Sequence, residues 1–388
     1  MFNVINGVPE LKQWMDDHQL SSALIDMDTY TIVNDIKDQV IKNKDLAIKK
    51  LTEKFDKVNL DSFLVTKSHI KSAYNNVSSD YISALKSAAN NIHEYHKKQL
   101  PTNWEDSNTD RTYGVQFSPL DSVGLYVPGG KAAYPSSVLM TAIPANIAGC
   151  ERIVMVSPPT GGGIPAPVLV AADISGVSEI YQVGGAQAVF ALAFGTEEIE
   201  AVDKIVGPGN KFVTAAKQMV YGVVDIDKPA GPSEVCVSID NENDAEYCAA
   251  ECFAQLEHDP DASAVVLATS KEIAKKVNES AMVQFQKLNR QNIINESKNN
   301  AVIVIIDSVD EMVDAINQVA SEHLVLLSDQ AKNYLKKVRH AGSIFCGSYS
   351  PVTLGDYYAG PNHVLPTTRS ARFASPLGVM DFMKYSSY

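Results

Sequence analysis

No stretch of this chain approaches the ~18 consecutive apolar residues of a membrane-spanning helix. Its opening, Met1-Phe2-Asn3-Val4-Ile5-Asn6-Gly7, lacks the basic segment and apolar run of an export signal. The sequence is therefore expected to carry neither anchor nor signal. Cysteine is scarce: five in 388 residues (Cys150, Cys236, Cys248, Cys252 and Cys346), an odd number, mostly in apolar runs and without a Cys-x-x-Cys pair. That argues against a disulfide framework and for a reducing, cytoplasmic setting. Positive charge is also short, with 33 basic against 46 acidic residues and a formal charge of -13. Such a chain repels phosphate backbones and anionic lipid, so no nucleic acid and no membrane surface is expected as a partner. A small substrate, of cationic character, fits better. No repeat at fixed period and no low-complexity tract interrupts the chain.

The length allows roughly two or three domains at about 150 residues each, and 45% hydrophobic residues suffice for more than one core. Helical spacing with polar outer faces runs over residues 29–55 and 68–100, predicting covering helices. After Pro101 the pattern turns to strands, then alternates strand with helix: Gly124–Val127, Arg152–Val156, Glu179–Val183 and Lys204–Val206. A second series follows at Val235–Ile239, Ala264–Ala268, Val302–Ile306, His323–Leu327 and Gly342–Phe345. The expected fold is α/β, with two successive doubly wound, Rossmann-like parallel sheets and additional N-terminal helices. The expected domains are an N-terminal helical segment over 1–28, a catalytic and metal domain formed by 29–122 plus 235–388, and a nucleotide-binding domain over 123–234.

Gly161-Gly162-Gly163-Ile164-Pro165-Ala166 formally satisfies the dinucleotide fingerprint, but no acidic residue ends the next strand and two prolines remove amide donors. A plain loop is the better reading. Stronger candidates are Tyr126-Val127-Pro128-Gly129-Gly130, Val183-Gly184-Gly185-Ala186-Gln187 and Val206-Gly207-Pro208-Gly209-Asn210. All three lie at strand ends where open α/β sheets bind ligands. Tyr126, Gln187 and Asn210 offer a ring and amide groups to a ribose or pyrophosphate. Gln255 and His258, three apart at the end of a helical stretch, place a carbonyl oxygen and an imidazole where one cation can meet both. Cys248 and Cys252 precede them at i and i+4, and are read as core packing. Glu322-His323 sets a carboxylate beside an imidazole at a strand mouth, a pair suited to proton transfer near neutrality. Asp356 can add an anionic oxygen to a metal site and His363 can hold a substrate; a capping aspartate and a packed histidine are the alternatives. His18, His69, His93, His96 and His340 are read as surface residues.

These segments resemble the histidinol dehydrogenase family, over nearly the whole chain. The most specific are Gly184-Gly-Ala-Gln-Ala188, Gly207-Pro-Gly-Asn210, Pro229-Ala-Gly-Pro-Ser-Glu234, Gln255-Leu-Glu-His258 and Asn362-His-Val-Leu-Pro366, in the family's order. The resemblance implies a homodimeric, zinc- and NAD-dependent enzyme that oxidises L-histidinol through the aldehyde to L-histidine. By it, Gln255, His258 and Asp356 are zinc ligands that also hold substrate, and Ser233 and His363 line the substrate pocket. His323, also at the substrate, takes the alcohol proton, Glu322 activates water, and Tyr126, Gln187 and Asn210 contact NAD. Leu256 stands where the family usually has alanine. The family's chain also carries a tail whose glutamate and further zinc-ligating histidine reach into the partner's site. None of the eight histidines here occupies that place, so impaired activity is expected. A related dehydrogenase of another small alcohol, or a binding protein without catalysis, are the other readings, separable by a substrate panel and by metal analysis.

Overall fold

The computed structural model describes residues 1–18, 25–129, 133–229, 231–328 and 331–388. Gly130 and Ala230, within two of the motifs above, lie outside the described residues. The chain divides into two compact units, both discontinuous in sequence. A first-sheet unit comprises Ile25–Pro229, Tyr357–Val364 and Leu377–Tyr388, and a second-sheet unit comprises Met1–Leu24, Ala230–Asp356 and Leu365–Pro376. Strands and helices are numbered in chain order.

The first-sheet unit is built on β4 (Ser122–Tyr126), β5 (Arg152–Val156), β6 (Glu179–Tyr181), β7 (Lys204–Val206) and β8 (Asp225–Ile226), all parallel, in the order β6-β5-β4-β7-β8. Runs such as Ile153-Val154-Met155-Val156 are buried on both faces, as a sheet covered by crossover helices requires. The covering helices are α5 (Pro135–Ala148), α6 (Ala166–Ile174), α7 (Gly185–Phe194) and α8 (Lys211–Val220). α7 is buried over Ala186–Ala193 because a long helix, α2 (Met27–Asp56), packs across α7 and α8. α2 starts where Asp26 accepts a hydrogen bond from the Thr29 amide at 2.7 Å. The expected helix over 68–100 is two helices, α3 (Lys67–Ala73) and α4 (Ser79–His96), the second capped by Ser78. Three antiparallel strands, β2 (Trp104–Ser107), β3 (Thr112–Pro119) and β14 (Met383–Ser387), form a separate small sheet.

The second-sheet unit contains β1 (Asn3–Asn6), β9 (Glu234–Ile239), β10 (Ser263–Ala268), β11 (Ala301–Ile305), β12 (His323–Leu327) and β13 (Ser343–Cys346), in the parallel order β1-β11-β10-β9-β12-β13. Helices α1 (Gly7–Asp17) and α12 (Val309–Val319) cover one face. α9 (Ala245–Leu256), α10 (Lys271–Phe285) and α11 (Gln291–Ser297) cover the other. Cys236, Cys248 and Cys252 are fully buried within this core, as packing residues.

Two expectations are corrected. Residues 29–122 belong with the first sheet, because the apolar stripe of α2 (Val33, Ile36, Val40, Ile48 and Leu51) is buried on that unit. Residues 1–28 are not a helical segment: Asn3–Asn6 pairs in parallel with Val302–Ile305 as an edge strand, followed by α1. A third correction concerns His96, which is fully buried. It continues the inner stripe Leu85, Ala88 and Ile92 of α4. Its Nδ1 donates to the Ile92 carbonyl at 2.8 Å, and its Nε2 faces the Asn362 amide at 3.3 Å.

Under the β7 end lies a buried ion pair. Lys217 bonds Asp227, and the two grip Gly207 from both sides: Lys217 Nζ donates to its carbonyl at 2.8 Å, and its amide donates to Asp227 at 2.6 Å. Gly207 has φ +113°, and a Cβ there would collide with the Tyr126 carbonyl. Removing one partner of a buried pair leaves the other charge without compensation. Lys217→Met is therefore expected to lower the free energy of urea unfolding by about 3–5 kcal/mol. Removing Asp227 as well, as Lys217→Met/Asp227→Asn, should recover part of that loss.

Candidate functional site

β9 and β12 are adjacent strands at the point where the order of the second sheet reverses, with His323 opposite Val235. Glu322, His323 and Glu234 therefore meet at the amino ends of these strands, the edge opposite the one where open α/β sheets usually bind ligands. His323 Nδ1 lies 3.1 Å from the Glu234 carbonyl. A carbonyl only accepts, so Nδ1 carries a hydrogen, and Nε2 presents a lone pair only when the ring is deprotonated. Nε2 in turn lies 3.4 Å from Asp356 Oδ1. Glu322 Oε2 accepts from the Glu234 amide at 3.0 Å and stands 3.4 Å from His323 Nδ1. Burial alone would disfavour the charged ring, yet Glu322 and Asp356 overcome it and raise the His323 pKa well above the ordinary imidazole value. The surroundings thus stabilise the imidazolium that forms when this ring takes a proton.

Gln255 ends α9, and His258 follows one turn on, its amide bonded to the Gln255 carbonyl at 3.0 Å. Gln255 is 1% exposed and its Oε1 meets no donor. Such an orphan acceptor costs roughly 1–3 kcal/mol. Burial lowers the His258 pKa, keeping the ring neutral, while Glu322, Asp356 and His323 all lie close enough for their charges to act on it. His258 Nδ1 is 3.1 Å from the Ser233 hydroxyl. When that nitrogen donates to the hydroxyl, Nε2 is left as a ligand atom. Among the described residues no three His, Cys, Asp or Glu side chains gather into a metal-binding group. A cation here would draw on an amide oxygen, an imidazole and a carboxylate, from Gln255, His258 and Asp356, donor types that suit a divalent ion. His363 belongs to the first-sheet unit, where it is half-buried.

Within the first-sheet unit, Tyr126, Gln187 and Asn210 line one cavity of about 830 Å³, the size of a cofactor pocket. It opens at the carboxyl ends of β4 and β7, where the strand order of that sheet reverses. Tyr126 ends β4 and its hydroxyl accepts from the Gly185 amide at 3.0 Å. Burial, with the charge of Asp56, pushes its pKa up to about 12, so the phenol stays protonated. Gly185 has φ +66°, and a Cβ there would lie 2.6 Å from Gln187 Oε1. Gln187 is 1% exposed, and neither of its amide atoms has a partner. Asn210 caps α8, accepting from the Phe212 and Val213 amides at 3.1 and 3.2 Å. Gly161-Gly162-Gly163 forms a turn closed by reciprocal Thr160 and Gly163 backbone bonds.

Glu234 and Asp56 were not singled out from the sequence. Glu234 works chiefly through its backbone, which any residue type supplies, and Asp56 reads as one more polar residue on a solvated helix.

A unit with a nucleotide-sized cavity at a sheet switch point, and another that gathers an imidazole with carboxylates, fit an oxidoreductase with two α/β lobes. The profile of the histidinol dehydrogenase family matches residues 21–388. Histidinol dehydrogenase of Clostridium acetobutylicum is 51% identical over 356 residues, covering 91% of this chain and 83% of that protein. The Methanothermobacter thermautotrophicus histidinol dehydrogenase is 49% identical over 355 residues, covering 91% and 83%. The crystal structure of histidinol dehydrogenase from Elizabethkingia anophelis superposes with a TM-score of 0.95 at 35% identity, over 100% of this chain and 90% of that one. The chain belongs to the histidinol dehydrogenase family.

The Glu234 carboxyl accepts from the Thr368 amide at 2.9 Å. Desolvation, with Glu322 beside it, raises its pKa to about 8. Its unfolded value is about 4.5, so the folded state holds a proton that the unfolded state releases between these two values. The stability from this group is complete below about 4.5 and is lost as pH rises toward 8. Glu234→Gln should flatten that decline in denaturant midpoints measured from pH 5 to 8; an unchanged slope would assign it to another group.

Proposed function

We propose that the protein oxidises L-histidinol through L-histidinal to L-histidine, in two successive hydride transfers that close histidine biosynthesis. NAD and zinc are the proposed cofactors. The observation that carries the reading is the Glu322-His323 pair, whose two proton-transfer groups are fixed by one residue, Glu234, through its amide and its carbonyl. The names of the relatives supply the substrate.

Gln255, His258 and Asp356 would hold the zinc, and Tyr126, Gln187 and Asn210 the NAD. Zinc, when held there, would supply Lewis-acid chemistry to the substrate. NAD, when bound, would accept the hydride in each oxidation. In the first oxidation His323 Nε2 takes the hydroxyl proton as the hydride leaves the carbon that bears the hydroxyl, giving the aldehyde. The resulting imidazolium donates to Asp356, and Nδ1 stays bonded to the Glu234 carbonyl throughout. In the second, Glu322 takes a proton from the water that attacks the aldehyde carbon. Its Oε2 is occupied by the Glu234 amide, which leaves Oε1 for that water. Loss of the second hydride from the hydrated aldehyde, left as its oxyanion, gives the carboxylic acid, whose proton passes to solvent as the carboxylate forms. Ser233, bonded to His258, orients that ring, and Ser233 and His363 are assigned to the polar groups of the substrate.

Purified protein is expected to form NADH from L-histidinol when zinc is supplied; no NADH with any divalent metal would overturn the reading. Glu322→Gln should accumulate the aldehyde and slow its oxidation by about 10²–10⁴-fold, the usual range for a general base. Gln255→Ala is expected to lower the zinc content of the dialysed protein with the fold retained by circular dichroism, and full zinc occupancy in that variant would remove Gln255 from the ligand set.

A further inference from the structure

No acidic residue follows the glycine turn at the end of the strand where a dinucleotide fold ordinarily places a carboxylate on the ribose. The cavity of the first-sheet unit receives one from another element. Asp56, the last residue of α2, lines it together with Tyr126, Gln187 and Asn210. Its position is unfavourable in three ways. Oδ2 is buried and meets no donor. The carboxyl is desolvated, which pushes its pKa up to about 6. It stands at a helix C-terminus, where the peptide dipoles oppose an anion. The neighbouring lysines are turned to other partners: Lys57 Nζ donates to the Lys54 carbonyl at 2.7 Å, and Lys54 Nζ lies over the Phe55 ring at 5.1 Å. A residue that breaks several local rules at once, on the wall of a cavity, marks a place selected for something other than stability.

The surroundings indicate what Asp56 meets. Ile32, Ile36, Phe55 and Phe212 line the same cavity and give it an apolar, partly aromatic wall suited to a flat heterocycle. Gln187 contributes an amide whose two polar atoms are both unpartnered. A carboxylate beside such a wall takes hydrogen from hydroxyls, and two oxygens match the two hydroxyls of a ribose.

We propose that Asp56 is the ribose-binding carboxylate of this cavity, accepting the 2′- and 3′-hydroxyls of the adenosine half of NAD and disfavouring a 2′-phosphate. This rests on the NAD reading above and adds to it the group that recognises the ribose. A dinucleotide phosphorylated at the 2′ position loses one hydroxyl donor and brings its own negative charge to the carboxylate.

Calorimetric titration of the zinc-loaded protein with NAD, ADP-ribose, nicotinamide mononucleotide and NADP tests the assignment, on wild type, Asp56→Asn and Asp56→Ala. Asp56→Ala should raise Kd for NAD and ADP-ribose alike by on the order of tenfold to a hundredfold, the range for a lost hydrogen bond to a charged group. Nicotinamide mononucleotide should bind as before. Asp56→Asn, which keeps the shape, should narrow the ratio of NADP to NAD dissociation constants. Both variants should raise the Tm of the ligand-free protein, because a desolvated carboxylate at a helix C-terminus is removed; a purely structural Asp56 would lower it. Unchanged NAD affinity in both variants, or a lowered ligand-free Tm with an unchanged NADP to NAD ratio, would overturn the assignment. Wild-type protein that binds neither NAD nor ADP-ribose would instead overturn the cofactor reading, and this assignment with it.

Discussion

The register of β9 against β12, with Val235 opposite His323, is the constraint on which the second-sheet unit's chemistry depends. It brings Glu322, just before β12, and His323, the first residue of β12, within hydrogen-bond reach of the backbone of one residue of β9, Glu234. The Glu234 amide holds the Glu322 carboxyl and the Glu234 carbonyl holds the His323 ring, so the two side chains share one rigid support. Rigidity comes from the sheet: both strands are buried on both faces by the packed cores that cover them. A shift of one residue would turn His323 to the opposite face of the sheet and remove both contacts together.

Two buried glutamines carry side-chain atoms without partners: Gln255 Oε1 at the end of α9, and both amide atoms of Gln187 on the cavity of the first-sheet unit. Asn362 is a buried amide of the other kind. Asn362 donates to the Met140 carbonyl at 2.6 Å and accepts from the Val364 amide at 2.9 Å while facing buried His96. The contrast separates two kinds of buried amide in this protein: one fastens a loop to a helix, and the other keeps hydrogen-bonding capacity unused.

Most of the fold was legible because the parallel strands are continuous apolar runs bounded by glycine and proline. Arg152–Val156, Lys204–Val206 and His323–Leu327 fall where the pattern put them. β1 was missed because only Val4 and Ile5, between two asparagines, carry its signal, and its stability comes from β11 far along the chain. β14 was missed for a related reason: its sequence Met-Lys-Tyr-Ser-Ser is mostly exposed, and only pairing with β3 makes it a strand. His96 was misread because a histidine on a polar helix looks solvated until the inner stripe is counted through Leu85, Ala88 and Ile92. Of the site, the residues that carry distinctive side-chain chemistry were visible in order along the chain. Glu234 escaped notice because its two contacts to the pair come from its backbone, and Asp56 because only the closing of α2 over the sheet brings it to a cavity.

Both units are assembled from segments that lie far apart in the chain, and this bears on how the molecule comes into being. β1 waits for β11, some three hundred positions later, and β3 waits for β14, whose Tyr388 exchanges backbone bonds with Gly114. During synthesis a nascent chain exposes these unpaired edges until β11 and β14 have emerged. Closing such long loops sets a slow entropic step before the pairing rewards it. Pairing of these edges therefore follows the synthesis of β11 and β14, unlike that of a protein built from contiguous halves.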